Sequence, residues 1–126
     1  MAGRTQAAYL PISEYGVIGD LRTVALVGSN GSIDWCCLPR FDSASLFAAI
    51  LDHRRGGRFR IAPLAPSTSQ QRYLPATNIL VTTFHTSGGV VEVTDFMPTP
   101  ERGRELSSYH EIHRRIHCTR GAVDVE

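Results

Sequence analysis

The chain has 126 residues, with 42% hydrophobic residues, 20% charged residues and a net charge of +1. That length fits one domain or part of a larger protein, and the composition is that of a globular protein with a core to bury. The near-neutral charge excludes nucleic acid or a membrane surface as a partner captured by bulk electrostatics.

All 13 cationic residues are Arg. This reads first as composition bias, although Arg forks suit carboxylates and sugar hydroxyls. The three cysteines are Cys36, Cys37 and Cys118. Neighbours on a strand point to opposite faces, so Cys36 and Cys37 do not pair, and no disulfide framework follows. A reducing compartment is expected. No leader with a charged and then an apolar run is visible, and the apolar runs are too short to cross a bilayer. These features point to a cytoplasmic protein.

Along the chain, 1–14 reads as an extended leader and YGVIGD (15–20) as a bend entering a strand. LRTVALVG (21–28) is rich in β-formers. Ser29, Asn30 and Gly31 make a hairpin turn, because Asn-Gly tolerates positive φ. SIDWCCL (32–38) is the return strand, and Pro39 ends its pairing. DSASLFAAILD (42–52) places Leu46, Phe47, Ile50 and Leu51 on one helical face behind Asp42 or Ser43 as a cap, predicting one short helix. GRFRIAP (57–63) alternates as a half-buried strand with Phe59 and Ile61 inward. Residues 63–72, with Pro, Ser and Gln, read as a loop.

NILVTTFHT (78–86), SGG and VVEVTDF (90–96) form a second hairpin. SSYHEIHRRIHC (107–118) reads as a strand, followed by a TRG turn and a returning strand AVDVE (122–126). Val123 and Val125 are expected to face a partner outside the chain. The pattern predicts a mainly β, antiparallel sandwich with one short helix.

Chemistry-bearing residues are few. His110, His113 and His117 would share a helical face and could hold zinc. On a strand, His113 and His117 lie roughly 13 Å apart, too far to share a metal. The hairpin signal favours the strand, so no metal site is expected. GSNGS carries neither the Lys nor the helix start of a phosphate loop, and no Gly-x-Ser-x-Gly elbow is present. Cys36 and Cys37 read as small core hydrophobes. What remains is Asp34 and Asp42 around Trp35, Arg40 and Phe41. A glycosidase uses paired carboxylates and often an aromatic platform, whereas an Asp beside an Arg in a loop is also an ordinary structural ion pair.

The pieces Tyr15-Gly16, Ile18-Gly19-Asp20, Arg22-Thr23, Gly31-Ser32-Ile33-Asp34-Trp35 and Leu38-Pro39-Arg40-Phe41-Asp42-Ser43 stand in order. Arg60-Ile61-Ala62-Pro63, Arg72-Tyr73-Leu74-Pro75 and Val93-Thr94-Asp95-Phe96-Met97-Pro98 follow. Together they resemble the opening of glycoside hydrolase family 15, the bacterial glucoamylase-like and trehalase-like group. Cys36 departs from the large apolar residue expected after Trp35.

The resemblance implies an N-terminal β-sandwich domain, part of a supersandwich-like fold, over 1–126. It further implies a downstream (α/α)₆ barrel, absent here, that carries an acid and a base for hydrolysis with inversion. Glu14, Glu92, Glu101, Glu105, Glu111 and Glu126 match no catalytic motif of the family, so the chain is expected to hold no catalytic residue and no cofactor. The implied partners are the catalytic domain and an α-glucoside such as trehalose or a malto-oligosaccharide. Unpaired strand edges predict self-association into a homo-oligomer. Asp34, Trp35, Arg40, Phe41 and Asp42 are the expected substrate contacts; a domain-junction ion pair is the competing role for Arg40 and Asp42. The alternative function is a stand-alone carbohydrate-binding or protein-interaction β-module.

Overall fold

In a computed structural model, which describes residues 9–99 and 110–126, two antiparallel sheets face each other across an apolar core. The start of the leader, Glu101, Glu105 and the first part of the strand expected over 107–118 lie outside the described residues. The first sheet runs β1 (Tyr15–Gly19), β2 (Val24–Gly28), β3 (Ser32–Cys37) and β4 (Ser45–Phe47), with the short β5 (Phe59–Arg60) also on β3. The second runs β6 (Thr68–Tyr73), β7 (Leu80–His85), β8 (Gly89–Phe96) and β9 (His113–Gly121).

The expected mainly β, antiparallel sandwich is the architecture found. Alternation explains it: Ile18, Ala25, Val27, Ile33 and Cys36 turn inward from the first sheet and meet Leu80 and Met97. Phe84, Val91 and Val93 continue the core with Ile61 and Ala62. The Asn-Gly turn closes β2 onto β3, with the Gly31 amide donating to the Gly28 carbonyl at 2.9 Å. Asp34 is the residue skipped where the pairing of β2 with β3 shifts, so a bulge sits at one of the expected substrate contacts.

Four local readings differ from the structure. The strand expected over 57–63 is only the two-residue β5, and Phe59, expected inward with Ile61, is exposed. Residues 42–52 form no helix; a 3₁₀ turn at Ile12–Glu14 is the short helix of the described residues. Instead Ser45 and Phe47 pair with Cys37 and Cys36, Phe47 packs on the core, and the chain folds back so that the Ala48 amide meets the Gly56 carbonyl at 2.9 Å. Strand pairing outweighs a helical spacing whose other members, Leu46 and Leu51, stay exposed.

Residues 68–73 are a strand, not a loop. The inward side chains of β6 are polar because they bond the facing sheet's backbone. Ser69 Oγ donates to the Ser29 carbonyl at 2.6 Å, Gln71 Nε2 to the Val27 carbonyl at 3.1 Å, and Tyr73 Oη to the Val17 carbonyl at 3.0 Å. An alternation of polar with polar carries no hydrophobic period.

Finally, 122–126 does not return along β9. It crosses to 62–64, where Ala62 and Glu126 exchange amide-to-carbonyl bonds of 3.1 and 3.0 Å. Val123 and Val125 pack on the Ile61 and Phe84 cluster of this same chain.

The strand reading of the His-rich segment holds from His113 onward. Among the described residues, no three His, Cys, Asp or Glu side chains converge to hold a metal ion. No helix among them is long and apolar enough to cross a membrane.

Cys36 and Cys37 are buried and Cys118 is exposed. Burial first, then the nearby Cys37 and Asp20, pushes the Cys36 thiol up to about 11. Titration with a thiol reagent near pH 8 is expected to label Cys118 quickly in the folded chain, and Cys36 and Cys37 only after denaturation. Rapid labelling of all three in the native state would contradict this burial.

Candidate functional site

The five expected contact residues fall into separate environments. Residues 39–42 leave β3 after a cis Leu38-Pro39 peptide bond and form an outward loop. The Phe41 amide donates to the Arg22 carbonyl at 3.0 Å and the Ser43 amide to the Arg40 carbonyl at 3.0 Å, which fixes the backbone. Arg40 grips Asp42 as a fork, with Nε to Oδ1 at 3.1 Å and Nη2 to Oδ2 at 3.0 Å. Both side chains are exposed, and Phe41 is 71% exposed. A solvated pair of this kind adds little to stability, roughly 0–1 kcal/mol.

Asp34 is elsewhere, buried on the strand. Tyr15 Oη donates to its Oδ2 at 2.6 Å and Ser32 Oγ to its Oδ1 at 2.5 Å. Its carbonyl accepts from the Ile50 amide at 3.1 Å, so the segment that was expected to be a helix covers it. Burial first, then the bond to Asp34 and its charge, raises the Tyr15 phenol well above its ordinary range. Asp34 is therefore a fixed acceptor in the fold. Trp35 stands opposite Leu26 and is half-buried. Among the described residues, no ring contact joins it to Phe41.

The loop cluster also contains residues whose roles sequence reasoning missed. Asp20 sits at the tip between β1 and β2, 3% exposed. Its Oδ1 accepts from the amides of Arg22 and Thr23, both at 2.9 Å, and its Oδ2 lies 3.5 Å from His110 Nδ1. Burial pushes this carboxyl up. The two amide bonds, His110 and the charge of Arg22 outweigh burial and hold it below its ordinary value.

A carboxyl lowered in the folded state adds stability above its unfolded value, about 3.9, and that stability is lost as pH falls through the folded value. The chain should lose stability in acid, and Asp20→Asn should flatten that part of the Tm-against-pH curve. An identical acid limb in the variant would rule Asp20 out as its source. The signal in the sequence was Asp-x-Arg-Thr after a glycine, the spacing of an Asx turn.

Leu21 follows Asp20 with φ of 75° and 91% exposure. A left-handed conformation costs a bulky residue roughly 1–2 kcal/mol, and Gly or Asn would make the turn more cheaply. Leu21, Arg22, Val24 and Phe41 line a groove of about 520 Å³ that Asn78 and Thr99 complete. A second hollow of about 530 Å³ lies at 60–67 and is more polar, with Asn30, Arg60, Ser67 and Glu126 around Phe84.

Beneath these surfaces, a buried ion pair ties the sheets together. Arg114 on β9 donates Nε to Asp95 Oδ1 at 2.7 Å and Nη2 to Oδ2 at 3.3 Å. Its Nη1 bonds the Phe59 carbonyl and its Nη2 the Gly31 carbonyl, each at 2.7 Å. The guanidinium lies 4.8 Å from the centre of the Phe59 ring. The pair's side chains are 2% and 0% exposed. Burial raises the Asp95 carboxyl, against the pull of Arg114. Asp95 was visible only as part of a strand, and Arg114 only as one of several charges in a His-rich run.

Residues 3–122 match the family model described as trehalase-like, N-terminal. The chain belongs to this trehalase-like N-terminal family. Curated relatives agree. The trehalase of Thermoplasma volcanium is 40% identical over 124 residues, covering 96% of this chain and 20% of that protein. That of Mycolicibacterium smegmatis is 36% identical over 129 residues, covering 91% and 19%. That of Thermoplasma acidophilum is 47% identical over 94 residues, covering 72% and 16%. The trehalase-like domain described here thus spans about a fifth of the Thermoplasma volcanium and Mycolicibacterium smegmatis trehalases. No solved structure matches it.

Proposed function

We propose that this chain is the non-catalytic β-domain of a trehalase-like α-glycosidase, and that 39–42 reaches an α-glucoside held by a downstream catalytic domain. In this reading an (α/α)₆ barrel outside the chain supplies the acid and base. Arg40 and Asp42 then hydrogen-bond sugar hydroxyls from the rim, as a preformed fork is suited to do. The observation that carries the reading is a contrast among the carboxylates. Asp20, Asp34 and Asp95 are each buried and bonded to fixed partners in the fold. Asp42, by contrast, is turned outward with Arg40 beside an exposed aromatic ring. Such an arrangement offers ligand contacts without an acid–base pair.

The test is glucose release from trehalose by the purified 126-residue chain and by the full-length polypeptide that contains it. Only the long form is expected to be active. In that form Arg40→Ala should lower kcat/KM roughly 10–100-fold, the cost of losing one or two hydrogen bonds at about 1.5–3 kcal/mol. An unchanged kcat/KM would remove Arg40 and Asp42 from the substrate site and leave them as a junction ion pair.

The polar hollow beside Arg60 favours a second reading, a stand-alone carbohydrate-binding module. Calorimetric titration of the 126-residue chain with trehalose and maltose separates the two: heat of binding to the isolated chain supports the module, and none supports the two-domain reading.

A further inference from the structure

We propose that the groove of Leu21, Val24 and Phe41 is the docking surface of the polypeptide that follows this domain in the full-length protein, and that it receives an apolar segment of that polypeptide rather than sugar. The proposal rests on the two-domain reading above and names the face involved.

Three observations converge. The first is Leu21, which combines a left-handed backbone with nearly complete exposure. At 91% exposure the side chain gains almost no packing from the described residues to offset that backbone, which points to a benefit from a partner. The second is continuity. Phe41 comes from a different loop, yet the bond from its amide to the Arg22 carbonyl seats its ring against the same groove, beside the partly exposed Val24. Scattered apolar residues on a surface need no explanation, but a joined patch around a groove marks an interaction site.

The third observation decides the chemistry. A sugar site needs several polar groups aimed at the ligand. Here three of the polar groups at the groove are turned into the domain, while Arg22 and the exposed Thr99 stand at its edge. The Thr23 hydroxyl bonds the Cys37 carbonyl. The Asp20 carboxylate is held by the Arg22 and Thr23 amides. The Asn78 side chain, oriented so that its donors and acceptors both match, bonds the Val17 carbonyl at 3.1 Å and the Gly19 amide at 2.8 Å. The large exposed side chains of the groove, Leu21, Val24 and Phe41, are apolar.

The occupant follows from relative length. The matched part is about a fifth of the Thermoplasma volcanium and Mycolicibacterium smegmatis trehalases. In the two-domain reading a domain of this size is tethered to further chain, and a tethered neighbour, at high effective concentration, is the partner best placed to cover an apolar face.

Hydrogen exchange of 20–24 and 39–42 tests this in the 126-residue chain and in the full-length polypeptide. Exchange at least about tenfold slower in the long form is expected. Leu21→Asp should leave the Tm of the short chain unchanged, lower that of the long form, and make its two parts separable by limited proteolysis; Phe41→Asp should do the same. Equal exchange in both forms overturns the proposal. Protection on a different face of the domain also overturns it, while leaving the two-domain reading intact. A long form with no protected face and no trehalose hydrolysis sinks that reading, and the proposal with it. Two further results overturn it: a concentration-dependent dimer of the short chain abolished by Phe41→Asp, which assigns the groove to a second copy, and trehalose-induced shifts of the Leu21 and Val24 amides, which lie away from the proposed sugar contacts at Arg40 and Asp42 and assign the groove itself to sugar.

Discussion

Arg114→Ala is expected to destabilise the domain by about 3–5 kcal/mol, because it strands the buried Asp95 carboxylate without its counter-charge. The Gly31 and Phe59 carbonyls lose a donor in the same step. In a domain of this size, that corresponds to a fall in Tm of roughly 10 °C or more, readable by calorimetry or circular dichroism. Arg114→Lys should rescue little of it, since an ammonium cannot reproduce a planar fork that serves a carboxylate and two separate carbonyls. The double variant Asp95→Leu with Arg114→Met should be markedly more stable than either single variant carrying Ala at one of these positions, because it leaves no orphaned charge. A loss below about 1 kcal/mol for Arg114→Ala would mean that water reaches this pair and that the pair does not join the sheets.

Gly31→Ala is the second large effect, at about 2–5 kcal/mol. Gly31 has φ of 81°, and an added Cβ would lie 2.0 Å from the Ile61 carbonyl oxygen and 3.1 Å from the Phe84 ring. The left-handed backbone alone costs Ala roughly 1–2 kcal/mol. Overlap with a main-chain atom, rather than with a flexible side-chain end, adds about 1–3 kcal/mol more. The position also serves the ion pair, since its carbonyl accepts from both Arg114 and the Ile61 amide. Combined with Arg114→Ala, the loss should fall short of the sum, because the two changes share that carbonyl. A Tm within a degree or two of the parent would show that the turn can shift to make room. The measurement bears on function as well: β2, β3 and the 39–42 loop are continuous with this turn, so a shifted turn moves the proposed rim contacts.

The sequence by itself determined the strands whose inner face is apolar and whose ends carry turn residues. The Asn30 and Gly31 turn, β2 with β3, β7 with β8, and the extended course of the His-rich segment were all legible. So was an outward polar-aromatic loop at Arg40, Phe41 and Asp42, since Pro39 must break the ladder just before it. Family membership was legible too, because it rests on ordered local words. What only the tertiary structure decided depends on neighbours distant in sequence. β6 is invisible to a hydrophobic period because Ser69, Gln71 and Tyr73 bond the backbone of the opposite sheet. Helical spacing at 42–52 yields to pairing with β3, and 122–126 finds its partner at 62–64. Asp34 faces Tyr15 and Ser32 instead of the loop, and Arg114 finds Asp95, Phe59 and Gly31. The physical reason is common to all of these. Apolar burial leaves a repeating trace in the local sequence, whereas a hydrogen bond or ion pair between remote elements is specified only by the register that brings its two ends together.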